Sequence, residues 1–146
     1  MHFSNTQQLK QTFEEVYTDI FKTRFWGLPI ANHHLTVQVI GLRETDDFYT
    51  FSLVTPWMLN QVAVPKHEEV DARPIEGMRL DKLDRLGSFY VTNAISPMDI
   101  FGNMDMAIEE GEKLAEQLFA RISNENDEQP EDKSRREFFQ KIIRKN

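Results

Sequence analysis

Apolar residues recur at helical spacing near the start of the chain, where Leu9, Phe13, Val16, Tyr17, Ile20 and Phe21 form one stripe between Ser4 and Arg24. Ser4 with Gln7, or Asn5 with Gln8, can form a capping box, and Gly27 and Pro29 end the helix. The period then changes to two. His34 to Arg43 and Asp47 to Thr55 are rich in Val, Ile, Phe, Tyr and Thr, alternate in polarity, and flank the charged turn Glu44-Thr45-Asp46, which predicts a β-hairpin. Trp57 to Val64 is apolar and β-prone but bracketed by Pro56 and Pro65, which cannot donate to a ladder, so the pattern predicts an edge strand. Lys66 to Gly77 carries charges and Pro74 and reads as a loop, followed by two further strands, Met78 to Leu86 and Ser88 to Ser96, joined at Gly87.

Pro97 to Asn103 is a loop of unusually apolar content, holding Met98, Ile100 and Phe101. Asp105 can cap a helix running to about Ser123, with Met104, Ile108, Gly111, Ala115, Leu118 and Ile122 as its inner stripe and Glu109 with Lys113 as a surface pair. Ser123 to Asp132 holds five acidic residues and Pro130 with no large apolar group, the composition of a disordered linker. Lys133 to Asn146 recovers helical spacing in Phe138, Phe139, Ile142 and Ile143. The expected fold is therefore α+β. An antiparallel sheet of about five strands carries the helices of residues 5–24 and 105–122 packed on one face, and a basic C-terminal helix follows the acidic linker. The expected division is one domain over residues 1–123, the linker over 124–132 and a basic amphipathic segment over 133–146.

Charge sharpens that division. The 146 residues carry a formal net charge of -7, yet Lys133, Arg135, Arg136, Lys141, Arg144 and Lys145 against Glu137 give the last segment +5, which leaves -12 on the 132 residues before it. Such a body repels nucleic-acid phosphates, so a nucleic-acid partner is not expected. The chain has no cysteine, which removes thiolate nucleophiles, disulfides and Cys-ligated zinc or iron–sulfur sites. The first residues lack the cationic start and apolar run of an export signal, and no stretch reaches the roughly 18 apolar residues of a membrane span, so a cytoplasmic location without membrane insertion is expected. Arg135-Arg136 is a twin arginine without an apolar run after it, so it cannot serve as an export signal.

Catalytic patterns are missing. No G-x-x-x-x-G-K, G-x-G-x-x-G or G-x-S-x-G occurs, so neither a phosphate-cradling loop nor a nucleophile elbow has a candidate. His33 and His34 are adjacent and would point to opposite faces of a strand. His67-Glu68-Glu69-Val70-Asp71 echoes H-E-x-x-H, with Asp71 in place of the second histidine and prolines on either side that leave little room for a helix. Glu14-Glu15 and Glu109-Glu110 are adjacent on helices, so each pair diverges as a solvated face does. No catalytic residue, metal or cofactor is expected. Apolar groups remain as candidates: Trp57, Met58 and Leu59 after Pro56 at the start of the expected edge strand, and Met98, Met104 and Met106 flanking the apolar loop.

Val54-Thr55-Pro56-Trp57-Met58-Leu59, with Val62, Val64 and Pro65 after it, resembles the T-P-W-M-L signature of the HybE-type chaperones of [NiFe]-hydrogenase assembly. Ser96-Pro97-Met98 followed by Met106-Ala107-Ile108-Glu109-Glu110-Gly111 and Leu114 resembles the segment of that family that leads into its I-E-E-G helix. Ser134-Arg135-Arg136 with Phe138-Phe139 is similar to the family's basic-aromatic C-terminal piece, and together the blocks cover about residues 9 to 144. Some members carry a fused rubredoxin domain with C-x-x-C pairs, which a chain without cysteine lacks. The resemblance implies a cytoplasmic chaperone without enzymatic activity. Its partners would be hydrogenase large or small subunit precursors, including a twin-arginine signal peptide held back from export until the cofactor is assembled. The implied partner-binding residues are Pro56, Trp57, Met58, Leu59, Pro97, Met98, Glu109 and Glu110. A binding module for an unrelated partner is the alternative, and a metal or small-molecule enzyme the third reading.

Overall fold

The computed structural model describes residues 3, 5–29, 31–67, 74–96 and 98–126. Helix α1 spans Thr6–Ile20 and continues into a π-helical turn, Phe21–Phe25. Five strands follow, β1 (Gln38–Glu44), β2 (Phe48–Val54), β3 (Leu59–Pro65), β4 (Arg79–Leu83) and β5 (Gly87–Ile95), before helix α2, Met104–Asn126. All strand pairs are antiparallel and the sheet order is β1-β2-β3-β5-β4. The α+β class and the five-stranded antiparallel sheet are those the sequence predicts.

Placement of the helices is not. Each covers its own face of the sheet. Leu9, Phe13, Val16 and Tyr17 of α1 pack with Phe51, Leu53, Val62, Val64, Phe89 and Val91, with Phe13 edge-on to both Phe51 and Phe89. The intervening strand residues point the other way: Phe48, Ala63 and Tyr90 meet Leu118 and Ile122 of α2, and Ile40, Val54 and Leu59 meet Ala107. Polar residues disguise this second face in the sequence. Thr50, Ser52 and Gln61 read as solvent-facing, but all three are buried, Ser52 Oγ donating to the Gly111 carbonyl at 2.6 Å and Gln61 Nε2 to that of Leu114 at 2.9 Å. A hydroxyl or amide that finds a helix carbonyl can be buried at little cost, so polarity alone does not mark a wet face.

Strand β3 is central, not an edge. It pairs with β2 along its whole length and with β5 from Leu59 to Ala63. The bracketing prolines cost nothing because neither interrupts a ladder: Pro56 lies in the β2–β3 turn, and Pro65 lies beyond the last β5 partner. The β4–β5 turn falls at 84–86, with the Leu86 amide bonded to the Leu83 carbonyl, and Gly87 opens β5 at φ +72°.

At the ends of the helices, Asn5 caps α1 by accepting from the Gln8 amide at 2.8 Å, and Asn103, rather than Asp105, accepts from the Met106 amide at 2.9 Å to start α2. Helix α2 also runs through Ser123 to Asn126, so the first residues expected in the acidic linker are helical. The rest of that linker and the basic segment of residues 133–146 lie outside the described residues.

Candidate protein-binding surface

Thr55-Pro56-Trp57-Met58 forms the turn between β2 and β3. The Thr55 amide donates to the Met58 carbonyl at 3.0 Å, and Thr55 Oγ1 accepts from the Met58 amide at 2.9 Å. This closed turn drives Trp57 inward. Its ring lies parallel to Phe25 at 4.2 Å between centroids and stacks on Phe21 and Tyr17 as well. Burial pushes the Tyr17 phenol well above its ordinary value, with the nearby Asp81 carboxylate adding to the rise and Arg79 opposing it.

The expected contact residues are therefore largely interior. Pro56 and Trp57 are buried, and Leu59 and Met98 are fully so, packed in the core together with Leu35 and Phe101. Met58 is half-buried against the α1-side core, with Asn60 Nδ2 donating to its sulfur at 3.3 Å. On α2, Glu109 is exposed and Glu110 half-buried. Pro97 lies outside the described residues. Side chains that look available beside prolines are interior because the T-P-W-M-L block is a hairpin turn at the middle of the sheet, not a strand at its rim.

Among the described residues the exposed large apolar side chains are Leu80 on β4 and four on or next to loops, Trp26, Leu28, Ile100 and Met106. Trp26 is 66% exposed, and Leu28 stands out of the turn after the π-helical segment. Trp26 packs edge-on against the His33 ring at 5.2 Å. Ile100, 64% exposed, sits at the tip of a turn closed by the bond from the Phe101 amide to the Met98 carbonyl. Met106 on the first turn of α2 is also exposed and lies next to Gly102. Between these two walls runs an open cleft of about 490 Å³ lined by Pro29, Ala31, Asn32, His33, His34, Asp99, Phe101 and Gly102.

Asn32 ties the walls together. Its Nδ2 donates to the Met98 carbonyl at 2.9 Å and to the Phe101 carbonyl at 2.8 Å, while its Oδ1 accepts from the His34 amide at 3.0 Å. Its backbone amide donates to the Pro56 carbonyl at 2.7 Å. One residue thus fastens the loop after α1, the β2–β3 turn and the 98–101 turn into a single frame. The acidic side chains nearby, Asp99, Asp105 and Glu109, are exposed, and among the described residues none of the three forms an ion pair. Among the described residues no group of three or more His, Asp or Glu side chains is placed to hold a metal, and His67 instead meets Asp47 at 3.1 Å. No helix of the described residues is long and apolar enough to cross a membrane.

The family described as "[NiFe]-hydrogenase assembly, chaperone, HybE" matches residues 8–141. The chain belongs to the HybE family. That family is one of assembly chaperones rather than of catalysts. The fold agrees with a solved structure, "Solution Structure of HybE from Escherichia coli", at a TM-score of 0.54 over 84% of this chain and 80% of that one. The two are 18% identical, so this likeness speaks for the fold. No curated protein sequence matches the chain.

Within this HybE-family chain the residues that carry the sequence resemblance are mostly those that build the frame, Thr55 to Leu59 as turn and core, Met98 as core, and Gly111 as the close contact of α2 with Ile40 and Val54. Trp26, Leu28, Asn32 and His33 escape a sequence reading. Their one local signal is a pair of large apolar residues, Trp26 and Leu28, on either side of Gly27 and just before Pro29, outside any helix or strand.

Proposed function

We propose that this HybE-family chaperone binds hydrogenase precursor subunits through the surface formed by Trp26, Leu28, Ile100 and Met106, and so helps hold back twin-arginine export of the small subunit until the large subunit carries its cofactor. The observation that carries the reading is four large apolar side chains held out to solvent around a braced cleft, where a protein that bound nothing would bury them. The rim is acidic at Asp99, Asp105 and Glu109, with Glu110 beside Met106 on the same helix face. A twin-arginine signal presents cations followed by an apolar stretch, and an acidic rim around apolar groups complements both parts. Trp57 serves this surface from beneath, as the floor of the aromatic stack that supports Phe21 and Phe25, and Phe21 in turn packs on Trp26. No covalent change to the client is involved, and the work is done in the cytoplasm before export.

The test is co-purification of tagged large and small subunit precursors with the full chain and with its Trp26→Ala and Ile100→Ala variants. Either substitution weakens capture by about 1–3 kcal/mol while leaving thermal unfolding unchanged. Full capture by both variants would move the binding surface elsewhere, and failure of the unmodified chain to capture either precursor would remove the client assignment.

A further inference from the structure

The two edges of the sheet are finished differently. At β1 the Val39 amide donates to Glu14 Oε2 of α1 at 2.9 Å, and the register shift between Ile40 and Arg43 interrupts the regular outline of the strand. A carboxylate on an edge amide and a bulge both stop another strand from adding there. At β4 neither is present. Arg79 to Leu83 pair with β5 residue for residue without a shift, and Leu80 stands 61% exposed on this outer strand. We propose that β4 is a self-association edge, on which a second copy of this chain adds its own β4, antiparallel and centred on Leu80, to join two five-stranded sheets into one. The inference is independent of the client reading above.

The direction of the backbone groups and the order of the charges select this occupant. The Lys82 amide donates to Asp81 Oδ1 at 2.8 Å, which marks the backbone groups of Lys82, and of Leu80 two residues earlier, as those that face away from β5. A twofold axis at Leu80 then lets each Leu80 amide donate to the Leu80 carbonyl of the other copy. The same axis sets Arg79 directly opposite Asp81 of the second copy, and Asp81 opposite its Arg79. Both pairs fall on the face that α1 covers, since Asp81 and Arg79 lie opposite Phe89 and Val91 of that core. Among the described residues neither Arg79 nor Asp81 forms an ion pair within its own chain. On the other face the two Leu80 side chains meet, next to Tyr90. Centring the axis on Asp81 would instead oppose two carboxylates. The shared strand is short. Five residues span about 17 Å and bury well below the roughly 800 Å² per partner of a standard interface, so the association is weak, with a Kd on the order of 0.1 mM. At about 0.15 M salt the repulsion between copies of net charge -7 is largely screened.

Sedimentation velocity of the full chain at that salt, from about 10 μM to about 1 mM so as to bracket this Kd, is the first measurement. The weight-average mass is expected to rise from 17.2 kDa toward twice that value, and the Leu80 amide to exchange its hydrogen more slowly as concentration rises. A monomer at every concentration, or a dimer that leaves the Leu80 amide unchanged, would overturn the proposal. Arg79→Asp and Asp81→Arg each make both cross-copy pairs repulsive, and each variant alone is expected to associate about tenfold more weakly or worse. Mixed one to one, the two variants restore attraction at both pairs and are expected to associate at least as tightly as the unmodified chain. A variant that had only lost its fold could not be recovered by mixing. A mixture no tighter than its components, or single variants that dimerise like the unmodified chain, would refute pairing centred on Leu80.

Discussion

Asn32 shows how much of the proposed binding surface can hang on one side chain. Both of its side-chain N–H groups and its amide oxygen are used, and the carbonyls it satisfies belong to the turn that displays Ile100. Asn32→Ala is expected to cost about 1–3 kcal/mol in chemical unfolding, and it should weaken client capture as well, because the 98–101 turn loses its brace. Trp57 makes the opposite kind of contribution. As a buried member of the aromatic stack it is expected to cost about 3–5 kcal/mol of stability as Trp57→Ala, against almost none for Trp26→Ala. Tyr17 adds a pH dependence. Its folded phenol holds its proton more tightly than the unfolded one, so between the ordinary value near 10 and the raised one the unfolded state binds fewer protons, and stability falls as pH rises. Alkaline unfolding followed in urea should show a slope shallower by about 1.4 kcal/mol per pH unit in Tyr17→Phe.

Between elements, the approach of α2 to the sheet is set by two glycines with different reasons. Gly41 sits where the β1–β2 register shifts between Ile40 and Arg43, at φ +68°, and a Cβ there would lie 2.6 Å from that of Ala115. Both backbone and packing demand glycine, and Gly41→Ala is expected to lower stability by more than about 1 kcal/mol. Gly111 is helical, and an added Cβ would meet Ile40 and Val54 at 3.5 Å, an ordinary contact. Gly111→Ala is therefore expected to be neutral or to stabilise by up to about 1 kcal/mol through helix propensity, as thermal unfolding of the two variants side by side would measure. Ser52 and Gln61 complete this interface, each donating to a carbonyl of α2.

At the scale of the whole molecule, the described core closes at Ile122, the last residue of the three apolar clusters along the chain. A chain ending at Asn126 should keep its cooperative unfolding with little change in midpoint. One ending at Gln117 loses Leu118 and Ile122 from beneath Phe48 and Tyr90, and circular dichroism should find it unfolded. Excess acid in the body should separate folding from the proposed recognition: exposed charges contribute little to stability but would steer a cationic client, so capture should weaken with salt while the unfolding midpoint stays nearly constant.

The amino-acid sequence by itself determined the elements, their order, the antiparallel class and the membership in the HybE family, because helical and period-two spacing and the turn residues are local signals. It also determined the segregation of charge. Only the tertiary structure decided that β3 lies in the middle, that α1 and α2 cover opposite faces, and that T-P-W-M-L is buried, since each depends on partners distant in the chain. Ser52 reads as a surface residue until Gly111, 59 residues later, supplies its acceptor. Trp57 reads as a contact until Phe21 and Phe25 stack upon it, and the loop after α1 is fastened to the 98–101 turn only because Asn32 bonds across 66 and 69 residues to Met98 and Phe101. Local spacing fixes what an element is, whereas exposure is a property of what the rest of the chain fails to cover.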